Sequence, residues 1–178
     1  IAVFGDTRHT YYRKRIGYLP EERGLYQKMK VKDLIRFFGK LKETPDLDRR
    51  IDEWLERFEL SDWADKKVDA LSKGMSQKIQ FITTVISDPE LLILDEPFTG
   101  LDPVNTETMR SAILDIQKRG CTIVFSTHDM ATAERMCDRI LMIFKGRKVL
   151  DDTLNAIQDR YGADTVRIYT LFIGPPEK

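Results

Sequence analysis

Short apolar runs bounded by turn residues alternate along this chain with stretches whose apolar positions recur every three or four residues. The runs predict strands: Ile1-Ala2-Val3-Phe4 before Gly5-Asp6, Arg15 to Leu19 stopped by Pro20, Leu91 to Asp95, Cys121 to Ser126, and Arg139 to Phe144. Leu91 to Leu94 is apolar without a break, the mark of a strand buried on both faces. The periodic stretches predict helices. Val31, Leu34, Ile35, Phe38 and Leu41 share one helical face, and Ile51, Trp54, Leu55 and Phe58 share another after Pro45. Both faces are expected to pack on a core while the intervening lysines and arginines stay solvated. A mostly buried helix is expected from about Met75 to Ser87. Another runs from Pro103 to Lys118, with proline in its first turn and Gly120 just past its end, and a third from Asp129 to Cys137. Gly146 turns the chain into Lys148-Val149-Leu150. Asp152 or Thr153 then caps a helix to Tyr161, ended by Gly162, and Thr165 to Ile173 is strand-like. Strands alternating with helices predict an α/β fold with a mostly parallel sheet, interrupted by a helical insertion over about residues 25–87.

Composition narrows this picture. A chain of 178 residues suits one domain, or one with a small appendage. Lys+Arg and Asp+Glu are both 29, a balance that gives no reason to expect a nucleic-acid or anionic-membrane binder. The longest apolar run, Ile140 to Phe144, is too short to span a bilayer. Residues 1–20 carry charges and tyrosines without the apolar core of a signal peptide. Cys121 and Cys137 have no metal-ligand spacing and fit reduced structural thiols in a cytosolic setting.

The chemistry concentrates in Leu91 to Asp102. Asp95 and Glu96 stand at the C-terminal end of a predicted strand, where open α/β sheets collect ligands. A buried carboxylate needs a cationic partner or a metal, and in nucleotide hydrolases that cation is magnesium carrying phosphates. Asp95 can hold such an ion, and Glu96, pointing differently one residue later, can orient or deprotonate an attacking water. His128 ends the next predicted strand, where it can donate to a terminal phosphate; alone, it also fits a helix-capping or core histidine. His9, in a tyrosine-rich turn, fits a structural role. Ser72-Lys73-Gly74 opens a helix, whose unpaired N–H groups and dipole suit phosphate, although an isolated Ser-x-Gly is equally an ordinary cap.

Taken in order, these motifs resemble the ATP-binding subunits of ABC transporters. Ile16-Gly17-Tyr18-Leu19-Pro20-Glu21 resembles the family's Q-loop region, and Leu71 to Met75 its signature Leu-Ser-Gly-Gly-Gln. Leu91 to Pro97 resembles Walker B, Thr99 to Asp102 the D-loop, and Ser126-Thr127-His128 the switch histidine, over about residues 15–150. Leu-Pro-Glu-Glu-Arg-Gly-Leu-Tyr (19–26) and Ser-Lys-Gly-Met (72–75) are similar to a bacterial and archaeal subset implicated in sodium, drug or ABC-2-type export. The resemblance implies a P-loop NTPase-like (RecA-like) α/β fold with a mostly parallel sheet and a helical subdomain insertion. Residues 1–24 and 88–150 would form the ATPase core, 25–87 the signature-bearing helical subdomain, and 151–178 the start of a C-terminal accessory region. It implies ATP and Mg2+ as cofactors, Asp95 and Glu21 at the magnesium, Glu96 as catalytic carboxylate and His128 at the γ-phosphate. Ser72, Lys73 and Gly74 would touch ATP held by a second nucleotide-binding subunit in a head-to-tail dimer, and Asp102 would couple the two sites. The other implied partner is a transmembrane permease, faced by Arg23 to Val31, which would hold the subunit at the cytoplasmic membrane. Three positions depart from the family pattern: Glu21 replaces Gln, and Lys73 and Met75 replace Gly and Gln.

No Gly-x-x-x-x-Gly-Lys-Ser/Thr phosphate loop (Walker A) occurs in these residues. The Gly39-Lys40 pair has Leu34 where the first glycine belongs and Leu41 where Ser or Thr belongs. The family's loop would precede Ile1, so the chain is expected to lack the N-terminal P-loop unit. Four charge-assisted hydrogen bonds from such a loop would total roughly 6–12 kcal/mol gross. A ligand held at millimolar to micromolar affinity has about 4–8 kcal/mol in all. Residues 1–178 alone are therefore expected neither to bind nor to hydrolyse ATP. Two other readings stand beside this one: a non-transport ABC ATPase of translation or DNA repair, and a degenerate, non-hydrolysing ABC module.

Overall fold

The computed structural model describes residues 14–22 and 24–161. The strands expected at Ile1 to Phe4 and Thr165 to Ile173, together with His9, Arg23 and Gly162, lie outside the described residues. Close contacts divide the chain between His128 and Asp129 into two compact units.

In the first unit, β1 (Ile16–Leu19), β2 (Leu91–Asp95) and β3 (Thr122–Ser126) form a parallel sheet in the order β1-β2-β3. The register sets Leu19 beside Leu94 and Asp95 beside Ser126. Side chains alternate between the two faces of a sheet. Leu19, Leu92 and Leu94 are buried on one face, while Tyr18 and Val124 on the other are 58% and 55% exposed. The unbroken apolar run of β2 predicts burial on both faces; among the described residues one face is covered, so Leu91, Ile93 and Asp95 are only half-buried. Asp95 and Ser126 belong to the open face.

The covered face packs on α3 (Lys73–Val85), the last helix of an insertion that also holds α1 (Val31–Leu41) and α2 (Leu47–Arg57). A Cβ on Gly17 would come within 2.9 Å of both the Leu92 side chain and the Thr84 carbonyl, so β1 approaches α3 this closely only with glycine there. Val31, Leu34 and Ile35 of α1 and Ile51 and Leu55 of α2 are buried with Ile79, Phe81, Ile82 and Val85 of α3. The two predicted helical faces are therefore core faces, except that Leu41, in the last turn of α1, is exposed. Trp54 and Phe58 stack at 5.9 Å between centroids, and Phe81 packs against both at 6.0 and 5.8 Å.

α3 begins two residues before the expected Met75, because Ser72 is its cap: Ser72 Oγ accepts from the Met75 N–H at 3.2 Å. The helix buries five polar side chains, and each of them donates to a backbone carbonyl. Gln77 donates to the Pro97 carbonyl at 3.1 Å, and Thr83 and Thr84 both donate to the Gln80 carbonyl at 2.8 Å. Lys78 donates to the Phe58 carbonyl at 3.1 Å, and burial pushes its ammonium below the ordinary lysine pKa. Helix α4 (Pro103–Lys118) has the bounds its proline and glycine punctuation predicts, and Arg57 ties it to α2 through Asp115 at 2.6 Å.

The second unit holds α5 (Met130–Met136), an antiparallel hairpin of β4 (Arg139–Phe144) and β5 (Arg147–Thr153), and α6 (Leu154–Tyr161). Asp129 caps α5, accepting from the Ala131 N–H at 2.9 Å. Thr153 Oγ1 accepts from the Ala156 N–H at 3.3 Å, which makes Thr153 the capping residue of α6. No helix among the described residues is long and apolar enough to cross a membrane.

Candidate active site

The site starts where β2 stops. Glu96 has φ of 46°, a left-handed conformation that costs a non-glycine residue energy and concentrates at functional turns. Its backbone is pinned by the next strand. Ser126, paired in register with Asp95, donates its hydroxyl proton to Asp95 Oδ1 and accepts the Glu96 N–H at 3.3 Å. One serine thus orients the Asp95 carboxylate and anchors the bend that aims Glu96.

The Glu96 side chain then reaches the residue pair following β3. Its Oε1 accepts the His128 backbone N–H at 3.0 Å and lies 2.8 Å from His128 Nδ1. With its proton on Nδ1, the imidazole donates to this carboxylate. The Glu96 side chain is 20% exposed and that of His128 86%, so His128 is not a core histidine, and the capping of the following helix falls to Asp129. The structure therefore gathers Asp95, Glu96, Ser126 and His128 at the ends of two adjacent parallel strands.

The remaining expected residues lie around the start of α3. Ser72 spends its hydroxyl on its own helix. Gly74 faces the Thr99 to Asp102 turn, where a Cβ would stand 3.5 Å from the Gly100 carbonyl. Lys73 lines an open cleft of about 360 Å³ with Glu21, Glu22, Gln77 and Thr99. Asp102 caps α4, accepting the Asn105 N–H at 3.0 Å; that bond, with one from the Asn105 side chain, holds its carboxyl below the usual carboxylate pKa.

Among the described residues no group of three or more Asp, Glu, His or Cys is disposed to hold a metal by itself. Magnesium does not need one. It keeps several waters and binds through one or two carboxylates plus substrate phosphates. Asp95, already oriented by a serine hydroxyl and half-exposed, has the oxygen chemistry for that role. Two contributors receive no role from the motifs: Ser126, which stands inside the switch-histidine motif, and Gln77, which lies outside all of them. Ser126 is legible once the ends of β2 and β3 are set side by side. Gln77 is one of five buried polar side chains on α3, and its role shows only in the carbonyl it meets.

A family model described as ABC transporter matches residues 3–99, more than half of the chain. An uncharacterised ABC transporter ATP-binding protein of Bacillus subtilis is 46% identical over 172 residues, covering 96% of this chain and 58% of that protein. The fluoroquinolones export ATP-binding protein of Mycobacterium tuberculosis is 39% identical over 157 residues, covering 88% of this chain and 52% of its own length. The chain thus spans a little over half the length of these curated relatives. A solved ATP-binding subunit of an ABC transporter superposes with a TM-score of 0.79 at 31% identity, over 85% of this chain and 64% of that one. The parallel sheet with its helical insertion, the order of motifs and the matched residues place the chain in the ABC transporter family, with the α/β fold of its ATP-binding subunits.

Proposed function

We propose that this chain carries the hydrolytic half of an ATP site in an export-type ABC transporter. The supporting observation is the Glu96–His128 pairing beside Asp95 and Ser126 at the ends of neighbouring strands. Glu96 is the base that takes a proton from the attacking water, and His128 holds that carboxylate in place while facing the γ-phosphate. Asp95 holds magnesium, with Glu21 contributing from the loop after β1. The ion supplies neutralisation of developing phosphate charge. Residues 1–24 and 88–150 act as the ATPase core, 25–87 as the signature subdomain and 151–178 as the start of an accessory region. The exporter assignment draws on the fluoroquinolone-export relative.

Lys73 lines its cleft with Glu21, Glu22, Gln77 and Thr99, and Gly74 faces the Gly100 carbonyl of the Thr99 to Asp102 turn, which suits a signature loop serving ATP on a second subunit, with Asp102 beside that interface. In the full-length subunit, ATP with Mg2+ should convert monomer to dimer in sedimentation velocity runs. Ser72→Arg should abolish the dimer while leaving ATP binding to the monomer within about threefold of wild type. A dimer unaffected by the arginine overturns the head-to-tail arrangement.

The permease-facing surface is Arg23 to Val31. Tyr26 there is 55% exposed and packs edge-on against Phe37 at 5.8 Å; Lys28 and Lys30, which follow it in the chain, pair with Asp69 and Asp65. Reversing both charges to glutamate is expected to cut co-purification with the permease at least about tenfold. Undiminished assembly removes this surface from the interface.

A further inference from the structure

α3 does more than carry the signature serine. Gln80, one turn beyond Gln77, is 5% exposed, and its side-chain amide spends both protons on one loop. It donates to the Pro20 carbonyl and to the Glu22 carbonyl, each at 3.2 Å. Those two residues flank Glu21. Pro20 has no N–H for the ladder, so the chain leaves β1 at this point, and the amide grips the backbone on both sides of the acidic residue.

The grip carries a cost. Among the described residues the buried Gln80 Oε1 meets no hydrogen-bond partner. Rotating the amide would set that oxygen against two carbonyls, so the observed orientation is the one the network dictates. A buried amide that leaves its acceptor unmatched is explained by the two bonds its donors make. Meanwhile Gln77, on the same flank of the helix, holds the carbonyl of Pro97, immediately after Glu96. One helix therefore fixes the loop of Glu21 and the turn of Glu96 relative to each other.

We propose that Gln80 is a positioning residue that sets Glu21 at the magnesium–nucleotide site. The proposal rests on Glu21 serving the metal. Gln80→Met keeps the side chain's length and removes both donors; Gln80→Glu keeps its shape and turns a carboxylate toward the two carbonyls. In the full-length subunit with a non-hydrolysable ATP analogue, Mn2+ binding is read from the loss of its free electron paramagnetic resonance signal. Glu21→Gln and each Gln80 variant should weaken Mn2+ binding by about tenfold or more, as loss of a residue behind a metal ligand does. The Glu21→Gln/Gln80→Met double variant should stay within about twofold of Glu21→Gln alone, because both changes remove the same contribution. Ile82→Val, a packing loss on the same helix, should leave Mn2+ binding unchanged. If Glu21→Gln weakens the metal and the Gln80 variants do not, the positioning role is wrong while the Glu21 assignment survives. If Glu21→Gln has no effect, the Glu21 assignment fails and the proposal falls with it. Multiplying effects in the double variant, an equal loss in Ile82→Val, or failure of both Gln80 variants to fold each make Gln80 a packing residue and overturn the proposal.

Discussion

Glu96→Gln in the full-length subunit should retain ATP and lose turnover, with kcat falling about 10²–10⁴-fold, the range a positioned general base supplies. The expected loss corresponds to roughly 3–5 kcal/mol of barrier. The substitution is isosteric, and its amide oxygen can still accept the His128 backbone N–H that now meets Glu96 Oε1 at 3.0 Å. The left-handed bend and the bond from its N–H to the Ser126 hydroxyl involve only the backbone of residue 96, so the turn should persist. What disappears is the negative charge that can take a proton. The fall should therefore appear in kcat with KM little changed, since the contribution lost is made in the transition state and not in the ground state. Phosphate release and equilibrium ATP binding, measured on the same preparation, check both halves. Turnover within about threefold of wild type would remove Glu96 from the role of base.

How far the sequence discloses this site depends on how local each feature is. Helix α4 is legible to the residue because proline at its first position and glycine past its end are punctuation read without tertiary context. α3 starts earlier than expected because Gly74 invites a break, whereas Ser72 caps the helix ahead of it and Gly74 lies within its first turn against the Gly100 carbonyl. The motif order points to Asp95, Glu96 and His128 together, but the bond between Glu96 and His128 requires the register of β2 on β3. That register is a long-range fact that no window of sequence contains. β2 misleads in the other direction. An unbroken apolar run reports that a strand is apolar on both sides, not that both sides are covered, and Tyr18 and Val124 on the same face stay exposed among the described residues. Gln80 illustrates the deepest limit, since its function lies in which two carbonyls it meets, sixty residues and one crossover away.

The second large effect belongs to the aromatic centre of the helical insertion. Phe81→Ala in the full-length subunit is expected to cost about 3–5 kcal/mol, the range for emptying a buried phenylalanine site. Phe81 is fully buried and joins α3 to α2 through the rings of Trp54 and Phe58. Those partners cannot collapse freely into the gap. Phe58 is itself fully buried, its carbonyl is held by Lys78, and Trp54 is covered by the Arg57 guanidinium at 5.6 Å. A site that cannot relax keeps its cavity and loses the dispersion contacts around it. At about 2–4 °C per kcal/mol for a chain of this size, the melting temperature should drop by roughly 6–20 °C. Phe37→Ala supplies the comparison: Phe37 is 39% exposed on the same insertion, and its removal should cost less than half as much. Because α3 also carries Ser72, Gln77 and Gln80, the Phe81 variant should lose nucleotide-dependent dimerisation at a lower temperature than wild type. Equal melting temperatures for the Phe81 and Phe37 variants would show that this aromatic cluster does not hold α3 in place.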